Sequence, residues 1–339
     1  MEGLGKGIED WFANDRFTTD KLCLRAVRRR GNNLCRVPNQ TRELCLAAVR
    51  CDGSALQYVK EQTREICLEA VKQDGRALKY VEDKTEEVCL EAVKQNPWAL
   101  MHVVKQTDDG YWEIVQEAMR HCVVIQYVDG ISEERYQEIA LGAVRRYGYV
   151  LEHVKNQTEE ICLEAVKKYA PSLEHAKVQT EEMVLIAVRK EGRLLEYAKH
   201  KTEEICLEAV KNCGSAIRFV DKPYDLESEK SYRRIALKAV KTNGFAIRHV
   251  KPFLESTYQE IALKAVRKNG MALKCIPYQP KEYDNIVLEA VMQNGLSLQF
   301  VKNQTLGLCM AAITNNKDAL EYVRDLEMKA MGEKMVVNQ

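Results

Sequence analysis

Apolar residues recur along this chain with a period of 22 residues. In one such segment, Ile66, Cys67, Ala70 and Val71 are spaced three or four apart, so they fall on one face of a helix. Leu68 widens that face to more than half of the circumference. A stripe this wide has to be covered on two sides by neighbouring segments. The pattern therefore predicts short amphipathic helices that stack on one another.

The pattern occurs thirteen times. The segments, called units 1 to 13 here, start at Thr19, Thr41, Thr63, Thr85, Tyr111, Tyr136, Thr158, Thr180, Thr202, Tyr232, Tyr258, Tyr283 and Thr305. Positions within a unit are counted from these residues. In unit 3, Thr63 is a suitable N-cap, while Glu65 and Lys72 suit the two ends of the helix dipole. We expect a first helix of about ten residues in each unit.

A break follows the first helix. Position 13 is glycine in nine units, which predicts a left-handed residue that caps the helix C-terminus. Asn96-Pro97 and Ala170-Pro171 stop the helix in two other units. A shorter second helix is expected next, with Ala77, Leu78, Tyr80 and Val81 as its buried set in unit 3.

A fixed period of this length is typical of a stacked repeat array. The predicted fold is all-α, an α-solenoid of thirteen short helix-turn-helix repeats with terminal caps. Residues 1–18 are interpreted as the N-terminal cap, 19–323 as a single elongated repeat domain, and 324–339 as a C-terminal cap or tail. The apolar residues expected to cover the last unit are Leu326, Met328, Met331 and Met335.

Five units begin with Tyr instead of Thr, and each follows an enlarged connection. These five carry Ala or Val at position 5. The extra length is about one helical turn, so we expect first helices that start earlier, N-capped by Thr107, Ser132 and Ser228 in three units. The edge that these units build is the candidate interaction surface, marked by Tyr111, Tyr136, Tyr232, Tyr258 and Tyr283.

The twelve cysteines do not form a metal or disulfide framework in this interpretation. Seven of them occupy position 5, where other units carry Ala or Val: Cys23, Cys45, Cys67, Cys89, Cys162, Cys206 and Cys309. This exchange indicates core thiols. Four histidines share position 18 with Tyr and Phe, which favours packing over catalysis: His102, His153, His175 and His249.

The charges are balanced overall, with 51 Lys and Arg against 50 Asp and Glu. Position 10 is basic in eleven units, and stacking should align these residues into a ridge. The simpler interpretation is that each complements a helix C-terminus beside a compensating acidic ridge. Two stretches are more basic than this explains. The candidate basic patch consists of Arg28, Arg233, Arg234, Lys238, Lys241, Arg267 and Lys268.

The sequence contains no nucleophile and base pairing, phosphate-binding loop, dinucleotide fingerprint or zinc motif. We therefore expect no enzyme activity, no cofactor and no metal. No apolar run is long enough to span a membrane, and the N-terminus lacks a signal-peptide core. Together with the free thiols, this favours a cytoplasmic location and no membrane partner.

The repeated motif Thr-Glu-Glu-Ile-Cys-Leu-Glu-Ala-Val-Lys, followed by Gly-x-Ala-Leu-x-Tyr-Val, resembles an uncharacterised family of short helical repeats. That family is a domain of unknown function found mainly in nucleocytoplasmic large DNA viruses and some bacteria. The resemblance covers residues 19–323 and implies a viral source. It supplies no activity and no functional residues.

Function is predicted only at the level of class. The favoured hypothesis is a non-enzymatic scaffold that binds protein, as a virion or assembly component or as a host-directed adaptor of a large DNA virus, in the host cytoplasm or the virion. The alternative is a solenoid that binds the nucleic-acid phosphate backbone through the basic ridge. The sequence does not indicate the oligomeric state.

Overall fold

The computed structural model describes residues 20–105, 107–121, 124–221, 226–251, 255–276 and 283–337. Within these ranges the chain forms α-helices and 3-10 helices and no strand. Each unit contributes one α-helix followed by one 3-10 helix, which we number α1 and η1 to α13 and η13. A further helix, α14, follows unit 13. The prediction of an all-α fold is confirmed, whereas the predicted cap 1–18 lies outside the described residues.

The α-helices are α1 Asp20–Arg29, α2 Arg42–Cys51, α3 Arg64–Gln73, α4 Glu86–Gln95, α5 Asp108–His121, α6 Glu133–Arg146, α7 Glu159–Lys168, α8 Glu181–Lys190, α9 Glu203–Asn212, α10 Leu226–Thr242, α11 Glu255–Lys268, α12 Tyr283–Gln293, α13 Leu306–Asn315 and α14 Leu326–Val337. The 3-10 helices are η1 Gly31–Arg36, η2 Gly53–Tyr58, η3 Gly75–Tyr80, η4 Pro97–His102, η5 Ile125–Tyr127, η6 Gly148–His153, η7 Ala170–His175, η8 Gly192–Tyr197, η9 Gly214–Phe219, η10 Gly244–His249, η11 Gly270–Cys275, η12 Gly295–Phe300 and η13 Lys317–Tyr322.

The chain divides into two compact units. The first contains the described residues up to Arg146 together with His153–Asn156, and the second contains Tyr147–Glu152 and the described residues from Gln157 onward. Within each, α-helices of consecutive repeats pack side by side, and most 3-10 helices pack on the α-helix of their own and of the following repeat. This stacking confirms the predicted α-solenoid type of repeat.

The buried residues of each repeat are those of the apolar pattern. In unit 3, Ile66, Cys67, Ala70 and Val71 are buried on α3, and Leu78 is buried on η3. In unit 3, the α-helices of the preceding and the following repeat both pack on α3, as the width of the apolar stripe requires. Burial of these apolar side chains between neighbouring repeats is the main stabilising contribution in a repeat array.

Seven of the eight threonines that begin units lie within the described residues, and all seven act as N-caps. The Thr63 hydroxyl accepts a hydrogen bond from the Ile66 backbone N–H at 3.4 Å. The Thr41 and Thr158 hydroxyls accept in the same way from the N–H groups of Leu44 and Ile161. Each satisfies one of the N–H groups that the first helical turn leaves without a partner.

The second helix of each repeat is a 3-10 helix, not a short α-helix. In unit 3 it covers six residues, Gly75–Tyr80, and Val81 already has extended backbone. Apolar residues at positions 15 and 16 still reach the core, so the predicted buried set holds for Ala77, Leu78 and Val81. The compact turn lets the chain reverse within 22 residues.

The glycines at position 13 are not left-handed caps, which corrects the sequence-based prediction. Among the described residues the only positive φ belongs to Gly130. A Cβ atom at Gly53 would lie 2.5 Å from the backbone oxygen of Ala70 in the next repeat. Glycine is required there because the two backbones approach closely. The helix itself ends at an extended residue such as Asp52, whose side chain accepts from the Ser54 N–H at 2.9 Å.

The predicted longer first helix is present in four units that begin with Tyr, and in the fifth, unit 12, the residues before Tyr283 lie outside the described ranges. α5, α6 and α11 begin three residues before their Tyr, and α10 begins six residues before it. Thr107 and Ser132 are N-caps as predicted. Ser228 lies inside α10, because that helix starts at Leu226. α12 begins at Tyr283 itself.

The C-terminal helix α14 packs against α13 and η13. Gly332 faces the repeat closely, since a Cβ atom there would lie 2.6 Å from Cδ1 of Ile313. Leu326 and Met331, expected to cover the last unit, are 82% and 51% exposed instead. The side chain of Met335 lies outside the described residues. The boundaries 19–323 and 324–339 stay predictions.

Candidate interaction surfaces

The tyrosines that mark the candidate interaction edge point into the fold. Tyr111, Tyr136, Tyr232 and Tyr258 are buried, and Tyr283 is half-buried. Burial raises the pKa of each of these phenols above its ordinary value. The phenol rings are therefore core groups, and a partner could reach only the surface around them. A binding role for that edge stays a prediction.

Two of these tyrosines make the same internal hydrogen bond. The Tyr136 hydroxyl accepts from the backbone N–H of Lys155 at 2.8 Å, and the Tyr232 hydroxyl accepts from that of Lys251 at 2.9 Å. Both donors occupy position 20 of their own unit. The hydroxyl thus satisfies a backbone group at the turn that leads into the next repeat.

In five of the eight units that begin with Thr, a glutamine performs this task. The Gln62 side chain accepts from the Glu82 N–H at 3.1 Å and donates to the Tyr80 carbonyl at 2.9 Å. Glutamine directly before the Thr recurs at Gln40, Gln157, Gln179 and Gln304, each with a bond to the backbone of the following turn. Sequence reasoning missed this row, although its recurrence before Thr is visible in the sequence.

The position-5 thiols are core groups, as predicted. All seven are buried. Two of these thiols donate weak S–H hydrogen bonds to glutamine side chains. The Cys67 sulfur lies 3.6 Å from Oε1 of Gln62, and the Cys162 sulfur lies 3.4 Å from Oε1 of Gln157. Burial raises the pKa of Cys67 to about 11, so this thiol is protonated and unreactive near neutral pH.

The basic residues at position 10 are largely neutralised by carboxylates at position 7. The partner lies on the same helix for Lys94 and Glu91, at 2.8 Å, and on the following helix for Arg50 and Glu69, at 2.6 Å. Similar pairs involve Arg120, Lys167, Arg189, Lys211 and Arg267. Exposed pairs of this kind add little stability, but they reduce the positive potential of the ridge.

The candidate basic patch separates into two groups. Arg233, Arg234 and Arg267 form ion pairs with Glu260, Glu203 and Glu289, each at 2.6 Å. Among the described residues, no ion pair is recorded for Arg28, Lys238, Lys241 or Lys268. The three lysines lie on α10 and α11, which pack side by side, whereas Arg28 lies on α1.

Two of the histidines at position 18 have charged neighbours. Burial, followed by the nearby Lys84 and Lys79 charges, lowers the pKa of His102 below its ordinary value. His175 lies 3.7 Å from a carboxylate oxygen of Glu152. Within the described ranges no group of three or more His, Cys, Asp or Glu could hold a metal ion, and no helix has the length and apolarity to cross a membrane.

Three exposed apolar side chains lie close together in the sequence of unit 4. Trp98, Met101 and Val104 are 45%, 51% and 58% exposed. Residues three apart on a 3-10 helix lie on the same side, which places Trp98 beside Met101. The edge of the Trp98 ring contacts Tyr127 of the next repeat, with ring centroids 6.0 Å apart. We call these three residues the Trp98 patch.

A groove of about 290 Å³ separates α5 from α6. Trp112 and Met119 line one wall, and Ile139 and Ala143 line the other. Gly142, at position 7 of unit 6, also lines the groove, and a Cβ atom there would meet nothing within 4 Å. The groove is shallow and mixed in polarity, and it lacks the convergent polar groups of a small-molecule site.

Comparison with known families gives matches over successive repeats of the chain. Segments 41–85, 63–106, 180–226, 202–255, 232–281 and 258–306 match the family described as Domain of unknown function (DUF4116). Together they span more than half of the chain. The chain belongs to the DUF4116 family. No curated protein and no solved structure matches it.

The DUF4116 matches cover units that begin with Thr as well as units that begin with Tyr. Membership therefore agrees with the resemblance seen in the repeated motif. It assigns no activity, substrate or partner to the surfaces described above, and a viral source stays a prediction.

Proposed function

We propose that this chain is a non-catalytic scaffold that binds a protein partner through the Trp98 patch. The partner's segment would be acidic and would carry a bulky apolar side chain. The observation that supports this is the exposure of Trp98, Met101 and Val104 within seven residues of the chain. Single exposed apolar residues are ordinary, but a cluster is typical of interaction sites.

The composition of the Trp98 patch suits a protein interface. Trp and Met are enriched in the centres of such interfaces, and Trp is among the residues that contribute most to binding. The patch is also held in place. Asn96 accepts from the Trp98 N–H at 3.1 Å and caps η4, and the Trp98 ring rests against Tyr127. A fixed aromatic group loses little conformational entropy when it binds.

Positive charge beside the patch favours an acidic partner. The charges of Lys84 and Lys79 contribute to the lowered pKa of His102, which follows Met101 in η4. The same field attracts carboxylates and would orient an acidic segment as it approaches. Lys79 lies 4.5 Å from the centre of the Tyr80 ring, on the preceding repeat.

Selection from a displayed library of short random peptides tests this proposal. The selected peptides should combine acidic residues with one bulky apolar residue. Their affinity should fall by about tenfold or more for the variant Trp98→Ala with Met101→Ala.

Leu288→Ala with Met292→Ala is the matched control, because these residues are 48% and 59% exposed on α12. The control should bind like the unchanged chain. Equal binding by both variants would show that the Trp98 patch is not the site, and selected peptides without carboxylates would contradict the proposed partner chemistry.

The family resemblance supports a finer proposal, a virion or assembly component or a host-directed adaptor acting in the host cytoplasm. Detection of the chain in purified virions would support the first role. Its presence only in the cytoplasm of infected cells would support the second, and its absence from both would exclude them.

A second candidate function is binding to nucleic-acid phosphates on α10 and α11. Position 7, which carries Glu in several other units, is Lys238 and Lys264 here, and Lys241 and Lys268 lie close by in the sequence of the same helices. Binding of labelled single-stranded and double-stranded DNA and RNA at about 50 mM salt tests this function.

In that experiment, Lys238→Glu with Lys241→Glu and Lys268→Glu should abolish binding. Arg50→Glu on α2 is a control, because this side chain is already paired with Glu69. Undetectable binding by the unchanged chain would exclude the function.

A further inference from the structure

Position 17 of consecutive repeats forms a row of charged residues on the 3-10 side of the second compact part of the chain, with the acidic residues at one end and the basic residues at the other. In units 6, 7 and 8 this position is acidic, and in units 9, 10 and 11 it is basic. The six residues, which we call the charge row, are Glu152, Glu174, Glu196, Arg218, Arg248 and Lys274. All six side chains are exposed. Elsewhere in the array, position 17 shows no such order.

The stacking of the repeats makes these residues neighbours. η7 packs on η8, η8 on η9, η9 on η10 and η10 on η11. Glu152 belongs to the same row, because His175 at the end of η7 lies 3.7 Å from its carboxylate. The charge therefore changes sign once along the row, between Glu196 and Arg218.

The basic half of the row has no carboxylate partner recorded among the described residues. The Arg218 guanidinium lies 4.4 Å from the centre of the Phe219 ring, and the Lys274 ammonium lies 5.2 Å from that of Phe245. Arg248 donates to the Cys275 sulfur at 3.2 Å. These contacts hold the cations in position without neutralising them, so their charge is available to a partner.

The charge row is complementary to itself when its direction is reversed. A twofold axis between Glu196 and Arg218 would place Glu196 opposite Arg218, Glu174 opposite Arg248, and Glu152 opposite Lys274. Because such an interface is isologous, each of these pairs would occur twice.

The neighbouring position 14 obeys the same symmetry. The axis would place Tyr149 opposite Met271 and Pro171 opposite Phe245, which joins apolar residues to apolar residues. At the centre, Arg193 would face Ser215. All these residues are at least partly exposed, and Tyr149 is 51% exposed. Apolar contact beside the ion pairs is needed, because exposed ion pairs alone contribute little.

We propose that two copies of this chain associate antiparallel through the 3-10 sides of units 6 to 11, with the charge row as the recognition element. The partner is a second copy, because the order of acidic, basic and apolar positions matches its own reverse over six repeats. This surface lies in the second compact unit and is distinct from the Trp98 patch, so the two proposals succeed or fail separately.

Sedimentation equilibrium of the full chain tests the association. Two variants make the charge row uniform. In the acidic variant, Arg218, Arg248 and Lys274 are each replaced by Glu. In the basic variant, Glu152, Glu174 and Glu196 are each replaced by Lys. The unchanged chain should dimerise reversibly at up to about 100 µM in low salt. Each variant alone should associate at least about tenfold more weakly, because like charges would face each other.

Mixing the two variants should restore association, since the acidic row of one then faces the basic row of the other. Higher salt should weaken both the original and the restored dimer. The matched control replaces Lys238, Lys241 and Lys268 by Glu. This control changes the net charge as much as the acidic variant does, but on α10 and α11 instead of on the charge row. It should dimerise like the unchanged chain.

The proposal is overturned if the unchanged chain is monomeric throughout this range. It is also overturned if the acidic variant and the control are weakened equally, or if the mixture of variants does not associate. Circular dichroism of each variant establishes that the repeats remain folded, and the mixing result does not depend on any single variant.

Discussion

Unit 8, which begins with Thr, and unit 10, which begins with Tyr, build the same joint between repeats in two ways. In unit 8, Gln179 accepts from the Lys199 N–H at 3.0 Å. In unit 10, the Tyr232 hydroxyl accepts from the Lys251 N–H at 2.9 Å. The donor is at position 20 in both cases. In these two units a side-chain acceptor satisfies the backbone of the turn, and two different residue types supply it.

The comparison explains why Tyr and Cys exclude each other. Positions 1 and 5 of a helix are neighbours on one face, so a Tyr at position 1 covers the residue at position 5. Ala140 and Ala236 fill that place in units 6 and 10 and are fully buried. In units with Thr, position 1 is a cap outside the helix. The space then goes to a thiol such as Cys67, which contacts the glutamine.

The largest effect should come from the contact that both unit types share. Gly53→Ala in unit 2 and Gly244→Ala in unit 10 would place a Cβ atom 2.5 Å from the Ala70 oxygen and 2.6 Å from the Ala265 oxygen. Since backbone has to move, we expect each to lower the free energy of unfolding by about 3 kcal/mol or more, measured by urea unfolding.

Gly142→Ala is the control for this prediction, because its Cβ would meet nothing within 4 Å. It should raise stability by about 0.5–1 kcal/mol, as expected for alanine inside a helix. Similar destabilisation by all three variants would show that close backbone approach is not the reason for glycine at position 13.

Replacing the side chains that accept these hydrogen bonds should cause the next largest loss in the free energy of unfolding. Gln179→Leu leaves the Lys199 N–H and the Tyr197 carbonyl without this partner, and should cost about 2 kcal/mol. Tyr232→Phe removes one acceptor with little change in shape, and should cost about 1 kcal/mol.

Amide hydrogen exchange at Lys199 and Lys251 locates these two effects. Each amide should exchange about tenfold faster in its own variant and be unchanged in the other. If Lys251 stays fully protected in Tyr232→Phe, the phenol fills space only and the proposed equivalence of the two joints fails.

Only part of the contact between consecutive repeats could be predicted from the sequence. The period, the N-capping threonines and the buried thiols were predicted, because helical spacing and capping chemistry are local. The 3-10 form of the second helix was not. Over six residues, a period of 3.0 and a period of 3.6 place Ala77 and Leu78 almost alike.

The role of glycine was missed for a related reason. Position 13 follows a helix, where a left-handed cap is usual, and only the packed structure shows that Gly53 faces the Ala70 oxygen of another repeat. The Trp98 patch was also missed. A large apolar residue at a variable position carries no sign of whether it is covered.

The two unit types should respond to alkaline pH in different ranges. Burial raises the pKa of Cys67, Cys89 and Cys206 to about 11, from 9.0. The unfolded chain therefore loses these protons first. Their contribution is complete below about pH 9 and is lost as the pH rises towards 11. For Tyr136 and Tyr232, also raised by burial, the loss begins only near pH 10.

The urea midpoint, followed by circular dichroism in reducing buffer from pH 8 to 11, measures this difference. Replacing Cys67, Cys89 and Cys206 by Ala should make the decline between about pH 9 and 10 shallower and keep the decline above 10, because Cys45, Cys162 and Cys309 also have raised pKa values. An unaltered profile would mean that the thiols titrate normally in the folded chain.

The smallest effects should come from surface ion pairs that both unit types share. Position 2 pairs with position 3 of the next repeat, as Arg64 with Glu87 and Arg233 with Glu260. All four side chains are more than a third exposed. Double-mutant cycles with alanine should give a coupling of about 0.5 kcal/mol for each pair. A coupling above about 2 kcal/mol in only one pair would place part of the difference between unit types at the surface. Equal, weak coupling would leave it in the buried joint, where Gln and Tyr replace each other.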